Sequence, residues 1–278
     1  EQTIANTSEA QFEQEYGNSF LGTGNTLINS NTLLGMKAVE PDWNKDGVNV
    51  YERPKEGHEY ICTVDVSQGR GLDYSTFTII DVTEKPFKQV CTYRDNTLSP
   101  MLYPDLLNKY CRPYNEALII IENNAEGGMV ATQLHYDIEY PNVFVQGMTK
   151  ADDIGVTMSR KIKRIGCSTM KELLEENRLL VKDRATITEL MTFINKGPSF
   201  EADKGYNDDM VMNLVLFSWF ITTDYFYNLT DKKVKDLLYS EQQKLIEDDL
   251  LPPGVFGTDK QEESFVDKAG DRWYLDNS

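Results

Sequence analysis

Three strand-forming runs follow one another between residues 60 and 94 with no helix between them, and this order limits the available folds more than any other feature. Tyr60-Ile-Cys-Thr-Val-Asp65-Val is rich in β-branched residues and carries a single charge. A Gly-rich turn, Ser67-Gln-Gly-Arg-Gly-Leu-Asp73, leads into Ser75-Thr-Phe-Thr-Ile-Ile-Asp-Val82. Lys85-Pro86 then turns the chain into a third strand, Lys88 to Arg94. From Ser99-Pro100 the spacing changes, with Leu102, Leu106, Leu107 and Tyr110 on one helical face. Leu118-Ile-Ile-Ile-Glu122 is a continuous apolar run, as expected of a strand buried on both faces. A turn over Asn124 to Gly128, a helix over Val130 to Ile138 and a short strand over Asn142 to Gln146 follow. Further on, the pattern predicts a helix over Gly166 to Glu176 (capped by Ser168 or Thr169), a strand over Leu179 to Lys182 and a helix over Ala185 to Ile194. A short strand over Phe200 to Lys204 and a long apolar helix over Asp208 to Phe226 complete the series. The predicted fold is α/β: a mixed sheet with an antiparallel three-strand start, then parallel strands, flanked by helices.

This core is expected to span residues 58–228. Residues 1–57 read as a lead-in or linker with an early helical pattern, Glu9 to Tyr16. Residues 229–278 read as an acidic tail, helical over about 231–248 and then interrupted by Pro252-Pro253-Gly254. The chain opens Glu1-Gln-Thr-Ile, which suggests the downstream part of a longer protein.

Several function classes are poorly supplied. The longest apolar run, Met210 to Ile221, is too short for a membrane span and contains Asn213 and Ser218. Two histidines, His58 and His135, leave little for zinc or Ser-His-Asp chemistry. Cys62, Cys91, Cys111 and Cys167 are scattered, as small buried hydrophobes in a reducing compartment would be. No GxxxxGK[ST] phosphate loop occurs.

Three carboxylate positions stand out by context. Asp65 is the one charge within its strand, Glu122 ends the most apolar strand, and Asp208-Asp209 opens the most apolar helix. Carboxylates embedded in core-forming sequence are costly unless paired or bound to a cation. Brought together they would repel one another, and a divalent metal removes that penalty. Hard oxygen donors with few histidines favour Mg²⁺ or Mn²⁺. Two such ions can activate a water and stabilise a leaving oxygen at a phosphodiester. The acids can meet only if the two strands are neighbours and the helix crosses their ends. Asp208 also has a plainer reading as an N-cap. The Gly69-Arg-Gly71 turn is either a hairpin or a backbone approach to phosphate with Arg70 reaching in, and Asp73 is either an auxiliary ligand or a cap.

Val64-Asp65-Val-Ser-Gln-Gly-Arg-Gly71-Leu-Asp73-Tyr, Ile119-Ile-Ile-Glu122-Asn and Gly205-Tyr-Asn-Asp-Asp209-Met-Val-Met resemble the C-terminal nuclease domain of the large terminase subunit of T-even-type tailed bacteriophages. Ile165-Gly-Cys-Ser-Thr-Met-Lys-Glu-Leu and Arg184-Ala-Thr-Ile are similar to the same family. The resemblance, from about residue 58 to 225, implies a ribonuclease-H-like fold. It implies a metal-dependent endonuclease cutting concatemeric double-stranded viral DNA at the initiation and termination of packaging, in the cytoplasm of the infected host. The catalytic triad would fall on Asp65, Glu122 and Asp209, with Asp208 as a metal ligand instead of or beside Asp209; the expected cofactor is Mg²⁺ or Mn²⁺, two ions, with Asp73 from the turn as the auxiliary ligand candidate. Where family members carry His, this chain has Asn207. The resemblance also implies the portal and small terminase subunit as partners, and a packaging ATPase domain N-terminal to this chain.

The formal charge of −17, from 28 Lys+Arg against 45 Asp+Glu, argues against general adhesion to polyanions. DNA would therefore need a local basic surface. The densest basic run is Ser159-Arg-Lys-Ile-Lys-Arg164, so Arg160, Lys161, Lys163 and Arg164, with Lys150, Lys171 and Arg70, are the candidate phosphate contacts. Lys182 and Arg184 could extend this surface, and Tyr206 or Tyr74 could stack on bases. Two rival readings stand beside the nuclease. One is an actin-like or sugar-kinase-type ATPase lobe, which shares the three-strand start. The other is a docking module for DNA or the portal that has lost its chemistry.

Overall fold

A computed structural model of the chain describes residues 25–71, 73–146, 154–197, 199–229, 264–266 and 272–274. The expected helix over Glu9 to Tyr16, the helix over 231–248 and the candidate Lys150 lie outside the described residues.

The antiparallel start is present. Strands β3 (Tyr60–Asp65), β4 (Ser75–Asp81) and β5 (Phe87–Asp95) form a meander, with Asp65 opposite Thr76 and Phe77 opposite Tyr93. On the other side of β3 lies β6 (Leu118–Ile121), which pairs with it in parallel, Val64 opposite Ile121. Beyond β5 the sheet continues into a hairpin, β1 (Trp43–Lys45) and β2 (Val48–Val50), in the stretch read as lead-in. Short strand β7 (Leu179–Leu180) pairs in parallel with the start of β5.

Both faces of the sheet are covered, which is why all seven positions of β4 are buried. One face packs on α2 (Tyr103–Cys111) and α3 (Ala125–Thr132), through Phe77, Tyr103, Leu107, Val130 and Leu134. Against the other lie α4 (Arg160–Glu175) and α6 (Asp209–Phe220), while α5 (Arg184–Thr192) and the hairpin β8 (Phe193–Lys196)–β9 (Ser199–Ala202) sit beside them. Helix α6 is buried on nearly every side from Met210 to Phe220, so it lacks a polar face. Small α1 (Ser30–Gly35) is capped by Asn29, whose Oδ1 accepts from Thr32 N at 2.8 Å. Among the described residues no helix is long and apolar enough to cross a membrane.

Several boundaries differ from the sequence reading. Helix α3 begins at Ala125, inside the expected turn, because Asn124 caps it by accepting from Gly127 N at 2.7 Å. Helix α4 begins six residues early, capped by Ser159 rather than Ser168 or Thr169, so the basic run is helical. Residues 142–146 form isolated bridges at Val143 and Val145 instead of a strand. Helix α5 ends at Thr192 and hands Phe193 to β8. Helix α6 stops at Phe220, where Thr222 and Thr223 turn their hydroxyls back onto the carbonyls of Trp219 and Phe220.

The α4–α6 crossing depends on Gly166. A Cβ there would lie 2.3 Å from the Val215 carbonyl oxygen and 2.8 Å from its Cγ1. Gly166→Ala is expected to destabilise the protein by about 3 kcal/mol despite its better helix propensity, read as a lower urea midpoint at unchanged m-value.

The chain divides into two compact units, the second beginning at Asp224. Its described part holds a helical segment over 224–229 and an antiparallel hairpin, β10 (Ser264–Val266) with β11 (Arg272–Tyr274), in what read as irregular tail.

Candidate active site

Asp65 is the last residue of β3, and Glu122 follows the end of the parallel neighbour β6, its N–H donating to the Val64 carbonyl at 2.9 Å. Parallel pairing therefore sets both carboxylates at the same edge of the sheet. Helix α6 starts across that edge: Thr76 Oγ1 donates to the Asp209 carbonyl at 3.3 Å, and Asn213 Nδ2 donates to Thr76 Oγ1 at 2.8 Å. The result is one cleft of about 770 Å³ lined by Asp65, Glu122, Asp208 and Asp209, with Asp73, Arg70, Tyr74, Asn124, Glu126 and Lys163 around them.

The electrostatics follow from this crowding. Burial raises the Asp65 pKa well above the carboxylate range, and the charges of Glu122, Asp209 and Asp208 push it further. Glu122 is raised mainly by burial, with Lys163 opposing and Asp208 adding to the rise. Asp209 is raised to about 6, chiefly by burial; the Tyr74 N–H, 3.2 Å from its Oδ2, pulls the other way, and Asp208 and Asp73 add repulsion. Among the described residues no three potential ligands already stand at metal-binding spacing. The donor set is nevertheless that of a hard divalent cation: carboxylates that raise one another's pKa at a buried edge, with no histidine or cysteine among the described residues that line the cleft.

A pH effect follows. A carboxyl raised in the folded state stabilises below its unfolded pKa, and this contribution is lost as pH rises through the folded value. For Asp209 the window runs from 3.8 to about 6, and for Glu189 from 4.5 to about 7, where burial is the leading cause. Carboxylates with lowered pKa, such as Glu52 at about 2, act below this window. The metal-free protein is expected to lose on the order of 2–3 kcal/mol between pH 5 and pH 7. Thermal melts in EDTA check this, and Asp209→Asn is expected to flatten the profile.

The Gly-rich turn is fixed by packing. Gly69 has φ +66°, and a Cβ there would sit 2.5 Å from the Leu98 carbonyl oxygen, while Gly71 N–H donates to Asn96 O at 2.9 Å. That leaves Arg70 exposed at the cleft rim.

The basic candidates separate. Lys163 lines the cleft and also the adjoining groove, where Arg160, Arg164, Lys196 and Phe200 lie between the start of α4 and the β8–β9 hairpin. Lys161 is exposed on the same helix. Lys171 lies further along α4 and pairs with Glu175 at 3.6 Å. Lys182 pairs with Glu52, and Arg184 with Glu40 at 3.4 Å, so neither extends the groove. The Tyr74 ring is covered by the Arg94 guanidinium, 3.4 Å from its centroid, whereas Tyr206 is half exposed. Asn207 lines a neighbouring cavity rather than the cleft.

Sequence reasoning missed Asn124 and Glu189. Asn124 Nδ2 donates to Asp65 Oδ1 at 3.4 Å and to the Val66 carbonyl at 3.3 Å, while its Oδ1 caps α3. One amide thus ties Asp65 to the helix that follows Glu122. An Asn just ahead of a helix is the available signal, though the two glycines after it suggested a turn.

A family model described as the terminase RNaseH-like domain matches residues 62–217. The chain is similar to the large terminase nuclease of thermophilic phage G20c solved with bound magnesium (TM-score 0.58, 19% identity, covering 70% of this chain and 97% of that one). It is similar to the cobalt-bound form of the same protein (TM-score 0.57, 21% identity, covering 70% and 97%). It is also similar to the large terminase nuclease domain of Thermus phage P74-26 (TM-score 0.53, 20% identity, covering 68% and 93%).

Proposed function

Because this chain belongs to the terminase RNaseH-like domain family, we propose that it is a divalent-metal-dependent endonuclease that cuts double-stranded viral DNA during genome packaging. The observation that carries the reading is the convergence of Asp65, Glu122, Asp208 and Asp209 in one cleft whose rim bears Lys163. Bound magnesium and cobalt in the neighbouring structures support a divalent cation in kind.

Asp65, Glu122 and Asp209 would hold two Mg²⁺ or Mn²⁺ ions, with Asp208 and Asp73 as further ligands. Ions there would supply charge neutralisation at the cleaved phosphodiester and activation of the attacking water. Asn124 would fix the Asp65 carboxylate, while Lys163, Arg160 and Arg164 would hold backbone phosphates in the adjoining groove. Such contacts are indifferent to sequence. The physiological substrate would be the concatemer cut at the initiation and termination of packaging, with portal and small terminase subunit as partners in the host cytoplasm.

The test is supercoiled plasmid in Mg²⁺ or Mn²⁺. Nicking and linearisation that stop in EDTA, with Tm raised by either ion in the absence of DNA, are expected. Duplex binding without cutting in either ion would favour the docking module, and ATP turnover would favour the ATPase lobe. For the groove, Arg160→Ala combined with Arg164→Ala is expected to reduce the slope of log K against log[salt] by about 1–2, roughly 0.9 for each phosphate no longer neutralised.

A further inference from the structure

The helix that carries Asp209 is capped from outside. Asp208 stands at the N-cap of α6, yet its side chain makes no capping hydrogen bond; its Oδ2 accepts instead from Ala202 N at 3.2 Å. The open N–H groups of the first turn are taken by Glu189 of α5, whose Oε2 accepts from Met210 N at 2.7 Å and Val211 N at 3.3 Å. Glu189 is only 5% exposed. A buried carboxylate at a helix N-terminus gains from both the hydrogen bonds and the helix dipole.

The other oxygen of Glu189 faces Arg94. Nε and Oε1 are 3.4 Å apart, both buried and neither hydrogen-bonded, so this is an ion contact. The Arg94 guanidinium lies over the Tyr74 ring, and the Tyr74 backbone N–H donates to Asp209 Oδ2. The chain of contacts therefore closes on Asp209 from two sides: Glu189 holds the backbone just after it, and Arg94, through Tyr74, backs the donor to its carboxylate. Asp208 and Asp209 both line the cleft because neither has to cap its own helix.

We propose that Glu189 and Arg94 are positioning residues that set Asp209 for metal binding. The proposal rests on the metal-dependent nuclease reading and deepens it. Ligand-orienting partners of this kind commonly change metal affinity by 10–100-fold when removed. A role confined to stability would lower Tm while leaving the metal midpoint of folded protein where it was.

The experiment follows Mn²⁺ binding by the rise in Tm and by direct titration, without DNA, in the parent, Glu189→Ala, Glu189→Gln and Arg94→Lys. The expected result is a midpoint about tenfold or more higher in Glu189→Ala and several-fold higher in Arg94→Lys. Glu189→Gln, which keeps an acceptor for the two N–H groups, is expected to fall between parent and Ala. If Glu189→Ala does not fold, Glu189→Gln and Arg94→Lys decide the matter at 20 °C. Folded variants that bind Mn²⁺ within twofold of the parent would overturn the proposal and leave the nuclease reading intact. A parent that binds no Mn²⁺ would overturn both.

Discussion

Asp65→Asn is expected to abolish DNA cleavage while making the metal-free protein more stable. The two effects share one cause. Asp65 sits at the sheet edge with its pKa raised by burial and by Glu122, Asp209 and Asp208, so its charge is destabilising until a cation neutralises it. Asparagine keeps the shape and an oxygen for the Asn124 amide to meet, but removes the charge. Loss of cation-borne stabilisation of the transition state amounts to several kcal/mol, which at 1.36 kcal/mol per tenfold is about 10³-fold or more in rate. In EDTA at pH 7 the Tm of Asp65→Asn is expected to exceed that of the parent, and added Mg²⁺ to raise it less. A variant with lower Tm and unchanged cleavage would show Asp65 to be a structural residue.

Gly127→Ala is expected to damage stability and site together, although alanine is the better helix former by about 1 kcal/mol. A Cβ at Gly127 would lie 2.0 Å from the Glu122 carbonyl oxygen and 3.0 Å from Asn124 Oδ1. Both atoms belong to the turn that presents Glu122 and anchors Asp65, so relief requires moving the site or unwinding the start of α3. A net loss of about 3 kcal/mol or more is expected, with a higher Mg²⁺ midpoint in the folded fraction. Gly128 supplies the comparison: there the Cβ would meet Asn123 Oδ1 at 2.6 Å, the end of a side chain rather than a backbone atom. Gly128→Ala is expected to cost about 1 kcal/mol or less. Equal losses at the two positions, measured by urea unfolding, would refute the close-packing argument.

The sheet was legible because its strands advertise themselves. Residues 60–65, 75–81 and 118–121 are rich in β-branched and apolar residues, and burial on both faces makes them read as near-continuous apolar runs. Helix starts were less legible, since caps act locally and compete. Ser159 and Ser168 are equally good caps on paper, and the choice falls on Ser159 because α4 must run along α6, with Gly166 at the crossing. Gly127 and Gly128 read as a turn because helix propensity says nothing about how closely a backbone passes another. The carboxylates could be singled out by their apolar surroundings, but what holds them could not. Glu189 meets α6 across a gap in sequence with no periodicity to betray it, and Asn124 looks like any turn residue. The basic run is dense in sequence, yet helical spacing sends its members to different faces and keeps Lys163 at both the cleft and the groove.

The central claim is that the carboxylates at the shared edge of β3 and β6 form a divalent-cation site. Anomalous diffraction from crystals of the protein soaked in Mn²⁺ tests it most directly. The account predicts a manganese peak within about 2.3 Å of an Asp65 oxygen, shared with Glu122 or with Asp208–Asp209, and absent from Asp65→Asn crystals. A saturating soak that leaves this edge without anomalous density, or places manganese elsewhere, would contradict it.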